Sequence, residues 1–261
     1  MPEITREGIR LFYDEAGSGG PPLLFVHGFG GDARHFTAQV NHFKARHRVV
    51  ALDRRGHGRS DKPGGPYAVP AIAEEIAFTA RELGLAKPVL VVHSMGAIGF
   101  EFAARFPDAL SALVVLDAPA FPPPPVVEMF AGLGNGLASP AYRDVIGEVC
   151  DRLIFLPTDD RARRHRLHEA MLETPQAVLS ATWQGFLAYD PAPAISSCKV
   201  PVLFISSVMP VDDARLRALC PTVTIGRTVG AGHIHQLEVP EQVNAMVERF
   251  LQIEGLSPTS R

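Results

Sequence analysis

Short runs of apolar, mostly β-branched residues recur along the first half of the chain and again near its end. They alternate with segments whose apolar positions fall at helical spacing. Leu23-Leu24-Phe25-Val26, Val49-Val50-Ala51-Leu52, Val89-Leu90-Val91-Val92 and Leu113-Val114-Val115-Leu116 are continuous rather than alternating. That is the pattern of strands buried on both faces. Residues 36–43, 70–84 and 97–106 read as helices. Ile72, Ile76, Ala80 and Leu83 mark the apolar face of the second, and Pro107 stops the third. Ile9-Arg10-Leu11-Phe12-Tyr13 predicts a further strand, cut off by the loop Gly17-Ser18-Gly19-Gly20-Pro21-Pro22. Alternating buried strands and helices predict an α/β fold, a mostly parallel, doubly wound sheet.

The texture changes at Ala118. Pro122-Pro123-Pro124-Pro125 cannot continue a helix or a central strand, and residues 126–187 then show helical patterns with no convincing strand. Residues 118–187 therefore read as a helical cap inserted into a core made of residues 1–117 and 188–261. Pro201-Val202-Leu203-Phe204-Ile205 resumes the sheet. A helix over residues 213–219, a strand over 223–229 and an amphipathic helix over 240–251 follow, and then a polar tail.

With 261 residues the chain fits one α/β domain with such an insertion, and a net charge of −3 offers no basic excess for nucleic acid or anionic membranes. Cys150, Cys198 and Cys220 are scattered and odd in number, which fits a reducing compartment. The first residues lack the apolar core of a signal peptide, and no apolar run approaches a membrane span. A soluble, cytoplasmic protein is expected. His165 and His168 lie among arginines, a poor setting for a metal cation.

In a parallel sheet, ligand groups gather at the C-terminal ends of the strands. His27, Asp53, Ser94 and Asp117 each follow a predicted strand, so they are expected on one edge. Ser94 sits between a buried strand and a helix that begins with small residues. A sharp turn there presents its hydroxyl at a helix N-terminus, where developing negative charge is favoured. The surrounding Val92-His93-Ser94-Met95-Gly96 lacks the first glycine of G-x-S-x-G, and a helix-capping serine is the competing reading.

A serine nucleophile needs a base, and the base needs an orienting acid. His233, after Gly230-Ala231-Gly232, is the candidate base, with His235 its rival. Asp117 is the candidate acid. Asp212 is the alternative, although it and Asp213 precede a helix and could serve as caps. Asp53 is assigned instead to tying down the loop 54–61. The backbone N–H groups of Phe29 and Met95 are the candidate oxyanion donors. His27, Gly28, His93, Met129, Trp183 and Phe186, together with Phe29, are expected to shape a substrate pocket.

Taken in order, His27-Gly28-Phe29-Gly30, Asp53-Arg54-Arg55-Gly56-His57-Gly58-Arg59-Ser60, His93-Ser94-Met95-Gly96, Gly230-Ala231-Gly232-His233 and Glu238-Val239-Pro240-Glu241 resemble the α/β-hydrolase family over nearly the whole chain. The resemblance implies a serine nucleophile, a histidine base, an oxyanion hole at Phe29 and Met95, a cap over the pocket and no cofactor. It departs from the family at Val92 and at the usual acid position, which falls on Pro210. Members without that acid use a carboxylate after the strand following the elbow, here Asp117.

The function expected from these residues is cofactor-free hydrolysis of a small-molecule ester or lactone through an acyl-enzyme. The partner is that substrate, with no nucleic acid, no membrane span and a homodimer left open. Carbon–carbon bond or amide hydrolysis, perhydrolysis and cofactor-free dioxygenation on the same fold are the alternatives, and a ligand receptor with a slow triad is the non-enzymatic one.

Overall fold

The structure, a computed structural model, describes residues 2–257; the end of the predicted polar tail, residues 258–261, lies outside the described residues. An eight-stranded sheet has the order β1-β2-β4-β3-β5-β6-β7-β8. Its strands are β1 (Glu3–Arg6), β2 (Ile9–Ala16), β3 (Leu23–Val26), β4 (Val49–Leu52), β5 (Val89–His93), β6 (Ala112–Leu116), β7 (Val202–Ser206) and β8 (Val223–Arg227). Strands β3 to β8 pair in parallel, whereas β1 and β2 form an antiparallel hairpin that pairs with β4 through β2. The first strand is not legible from hydropathy. Its burial alternates only between exposed and half-buried, so Glu3, Thr5 and their neighbours give no apolar run.

The helices are α1 (Thr37–Phe43), α2 (Val69–Glu82), α3 (Gly96–Arg105), α4 (Pro124–Leu137), α5 (Tyr142–Val149), α6 (Arg161–Leu172), α7 (Gln176–Leu187), α8 (Ala192–Ser197), α9 (Asp213–Leu219), α10 (His235–Glu238) and α11 (Pro240–Ile253). Because successive strand residues face opposite sides, each apolar run supplies two cores. Leu24, Val26, Leu90, Val92, Leu113 and Val115 pack with α2, α3, α8 and α9. Leu23, Phe25, Val89, Val91, Val114 and Leu116 pack with Phe36, Phe43 and α11 on the other face.

Helices α4 to α7 lie between β6 and β7 and build a separate apolar cluster around Leu137, Ile146, Met171 and Leu179, which Ile234 and Phe29 also join. Close backbone approaches seat these helices. A Cβ on Gly185 of α7 would lie 2.5 Å from the Tyr67 carbonyl oxygen, and one on Gly30 would lie 2.4 Å from the Met171 side chain.

The missing elbow glycine has a structural counterpart. Val92 is buried beneath the turn, and Gly99 of α3 faces it. A Cβ on Gly99 would come within 3.0 Å of Val92 and 2.6 Å of Leu113. The space that a glycine leaves on the strand in G-x-S-x-G is here left on the helix.

Candidate active site

Three strand ends and one loop converge at the C-terminal edge of the sheet. Ser94 leaves β5 with φ 65°, a left-handed conformation that a non-glycine residue adopts only under strain. Its N–H extends the sheet ladder to the Leu116 carbonyl at 2.8 Å, and α3 begins two residues later. Asp117 leaves β6 in the same way, with φ 42° and its N–H on the Ile205 carbonyl at 2.7 Å. Both side chains are thereby turned off the strand axes above the sheet edge.

His233 joins them. Its Nε2 lies 2.9 Å from Ser94 Oγ and its Nδ1 lies 2.8 Å from Asp117 Oδ2. Asp117 is fully buried, and its other oxygen accepts the N–H groups of Ser207 at 2.5 Å and Met209 at 3.2 Å. Burial pushes the Asp117 carboxyl upward. The His233 hydrogen bond and charge and the Ser207 amide outweigh it, so the group is held below the usual carboxylate range. The loop after β7, where the family resemblance leads to Pro210, thus supplies amide donors to a carboxylate carried by the neighbouring strand.

Asp212 is placed elsewhere. Its carboxylate caps α9, accepting the Arg215 N–H at 3.0 Å. His235 is also separate from the serine: it is fully buried, and its Nδ1 bonds Thr228 Oγ1 at 3.0 Å. Asp53 holds the loop 54–61 to the neighbouring turn, accepting Ala33 N–H at 2.7 Å and Arg59 Nε at 2.6 Å.

The Phe29 amide makes no hydrogen bond within the described residues, whereas the Met95 amide donates across Ser94 to the His93 carbonyl at 2.7 Å. The peptide unit that carries the Phe29 N–H is fixed from its carbonyl end. Gly28 O accepts His27 Nδ1 at 2.8 Å and Arg54 Nη2 at 2.9 Å. A Cβ on Gly28 would lie 2.6 Å from the Ser94 Cβ, so only glycine lets this strand end pass beside the serine. Arg54 is wholly buried, which lowers its guanidinium to about 10, and no sequence signal separates it from the solvated arginines around it.

The cavity over Ser94 measures about 50 Å³ and is walled by Phe29, His93, Trp183, Phe186 and His233 among others. Trp183 is its aromatic hub, with ring centroids 5.1 Å from Phe29, 5.5 Å from Phe130 and 5.8 Å from Phe186. Three expected pocket residues are elsewhere. Met129 points to solvent, and Phe130, the next residue on α4, faces the cavity. A one-residue step turns a helix by about 100°, enough to exchange an inward for an outward side chain. His27 and Gly28 lie beneath the cavity rather than on its wall, where they brace the Phe29 peptide. His35 and Met209, not anticipated from sequence, are among the other residues on the wall.

His93 donates from Nε2 to the His233 carbonyl at 2.9 Å, and the His233 N–H bonds Ile154 of the helical insertion at 2.8 Å. The histidine loop is therefore held from the sheet and from the insertion together. Burial lowers the imidazoles of His27, His35 and His93, takes His57 to about 3 and takes His235 to about 4.

Unfolding frees these five rings to protonate near pH 6.5, which the fold shifts to lower pH. Their contribution to stability is therefore complete above pH 6.5 and is lost as pH falls toward their folded values. Each ring contributes a slope of up to about 1.4 kcal/mol per pH unit. Burial raises Glu238 to about 7, so this carboxyl acts in the opposite sense, losing stability as pH rises from about 4.5 to 7. Five rings outweigh one carboxyl. The urea midpoint is expected to drop steeply between pH 7 and pH 5, and a level midpoint would contradict the burial of these rings as neutral groups.

A family model for the alpha/beta hydrolase fold matches residues 21–144. The chain is 35% identical over 123 residues to epoxide hydrolase 3 of Mus musculus, a match covering 46% of this chain and 34% of that protein. It is 37% identical over 110 residues to 2-(acetamidomethylene)succinate hydrolase of Mesorhizobium japonicum, covering 42% of this chain and 39% of that one. The chain thus spans little more than a third of the length of these two relatives. The enol-lactonase from Burkholderia xenovorans LB400 superposes with a TM-score of 0.85 over 96% of this chain and 100% of that chain, at 22% identity.

Proposed function

The chain is an α/β-hydrolase by fold, and from its site geometry we propose that it is a serine hydrolase of carboxylic esters or lactones, working through an acyl-enzyme. One observation carries this reading: the unbroken relay from Ser94 Oγ through His233 to Asp117, with contacts of 2.9 and 2.8 Å. A capping serine has no need of a buried histidine–carboxylate pair behind its hydroxyl.

In this mechanism Ser94 Oγ attacks the carbonyl carbon as His233 Nε2 takes the hydroxyl proton. Asp117 keeps the single proton of the neutral imidazole on Nδ1, which leaves Nε2 free to accept, and stabilises the imidazolium that forms. The oxyanion settles toward the Phe29 N–H, already free, and the Met95 N–H, which turns from the His93 carbonyl as charge develops. His233 then returns its proton to the leaving oxygen. In the second half His233 deprotonates water, which attacks the acyl group on Ser94 and restores the free enzyme. Helices α4 to α7 act as a cap that keeps the apolar cavity from bulk water.

A second reading, hydrolysis of an amide, is favoured by the similarity to 2-(acetamidomethylene)succinate hydrolase. It uses the same residues and differs in the leaving group.

The test is covalent labelling with a fluorophosphonate alongside turnover of matched esters, lactones and amides. One phosphonyl group is expected on the Ser94 peptide, with loss of ester turnover in proportion. Absence of label, or label on a different serine with activity lost, would sink the proposal.

A further inference from the structure

The cavity over Ser94 has a neighbour with which it shares a wall. Pro119, Phe130 and Phe186 line it and also line a second cavity of about 180 Å³ that runs alongside the first turn of α3. Gly96 and Ala97, which form one wall of this second chamber, follow Met95 directly. Every side chain lining it is apolar except Tyr189, whose hydroxyl is committed to Glu101 Oε2 at 2.5 Å. The chamber's one polar side chain therefore has its donor already in use. Its outer rim is formed in part by Val127 and Leu187, which are 48% and 38% exposed.

The two volumes set different limits. About 50 Å³ above Ser94 holds a reacting carbonyl and a group not much larger than a methyl. The neighbouring 180 Å³ exceeds the ~150 Å³ of an engineered apolar cavity that takes up benzene.

Building on the serine-hydrolase reading, we propose that this second chamber is a substrate subsite for an aromatic ring, or an alicyclic group of that size. The substrate class is then an ester with one small arm and one ring-bearing arm. The ring passes the Pro119–Phe130–Phe186 neck and lies against Ala97, while the carbonyl stays at Ser94. Binding there gains from apolar area removed from water, and a charge on the ring would lose its hydration without a partner to replace it. Ala97 thereby becomes a specificity-determining position: a larger side chain there occupies the space of the ring without touching Ser94, His233 or Asp117.

The experiment compares kcat/KM for ethyl acetate, benzyl acetate and methyl phenylacetate in the wild type, Ala97→Leu and Val127→Trp, with thermal melts as the folding control. The wild type is expected to favour a ring-bearing ester over a purely alkyl one of equal leaving-group reactivity by about 10–100-fold. Ala97→Leu is expected to erase that preference and leave ethyl acetate unchanged. Val127→Trp, at the rim, is expected to reduce it less.

Selective loss on benzyl acetate places the ring on the alcohol side, and selective loss on methyl phenylacetate places it on the acyl side. Benzyl alcohol binding by saturation-transfer NMR, expected in the wild type and lost in Ala97→Leu, reads the chamber without catalysis. Equal losses on all three esters in a folded Ala97→Leu, or an unchanged ring preference, would overturn the subsite while leaving Ser94-dependent turnover intact. Absence of ester turnover in the wild type, with benzyl alcohol still bound in the chamber, would instead overturn the ester chemistry on which the subsite's role rests.

Discussion

Ser94→Ala is expected to lower kcat on p-nitrophenyl acetate by about 10⁵–10⁶-fold, the scale seen when a serine hydrolase loses its nucleophile. The hydroxyl makes its close contact with His233 Nε2 and makes no other hydrogen bond among the described residues, so the variant should melt near the wild-type temperature. Its φ of 65° does not change that expectation, since alanine pays much the same steric cost as serine there. The measurement is steady-state kinetics on protein whose melting curve has been checked. Removing the proposed nucleophile leaves the cavity and the Phe29 amide in place, so weak residual turnover is compatible with the proposed mechanism. Activity within tenfold of wild type would falsify a covalent serine mechanism and point to direct attack by water.

Asp117→Asn is expected to lower kcat by about 10⁴-fold, while Asp212→Asn stays within about twofold of wild type. The asparagine oxygen can still accept the Ser207 and Met209 amides, so the carboxamide is accommodated. Its NH₂ then faces His233 Nδ1. That nitrogen must accept rather than donate, which forces the imidazole proton onto Nε2, the atom that has to receive the Ser94 proton. Asp212, by contrast, caps the exposed end of α9, where asparagine is as good a cap as aspartate. A large loss in Asp212→Asn alone would reverse the assignment of the acid. Near-normal activity in Asp117→Asn would mean that His233 needs no carboxylate to hold its tautomer.

Both variants bear on a distinction that runs through the molecule. The buried strands announced themselves because each stretch from Leu23 to Leu116 that must face two helical layers has no room for polar residues. The turn at Ser94 was legible for a related reason: a β-branched run that stops at His-Ser-Met-Gly and resumes as a helix has few other backbone solutions. His233 was legible from its glycine-flanked loop. These are local patterns, written in consecutive residues.

The edge strand Glu3–Arg6 was not legible, since a half-exposed hairpin needs no apolar alternation. Nor was the bracing of the Phe29 peptide by buried Arg54, because a motif with three arginines gives no sign of which one is enclosed.

The amino-acid order by itself determined the layered α/β architecture, the helical interruption after Asp117 and the serine and histidine that face each other at the sheet edge. Only the tertiary structure decided which carboxylate stands behind His233, because Asp117 and Asp212 both follow strands and differ in what the neighbouring loop presents to them. It also decided that Gly99 makes room for Val92, that Phe130 rather than Met129 faces the cavity, and that a second cavity shares Pro119, Phe130 and Phe186 with the one over Ser94. Each of those depends on residues far apart in sequence meeting at close range, where helical phase and a single Cβ settle the outcome and hydropathy along the chain carries no record of it.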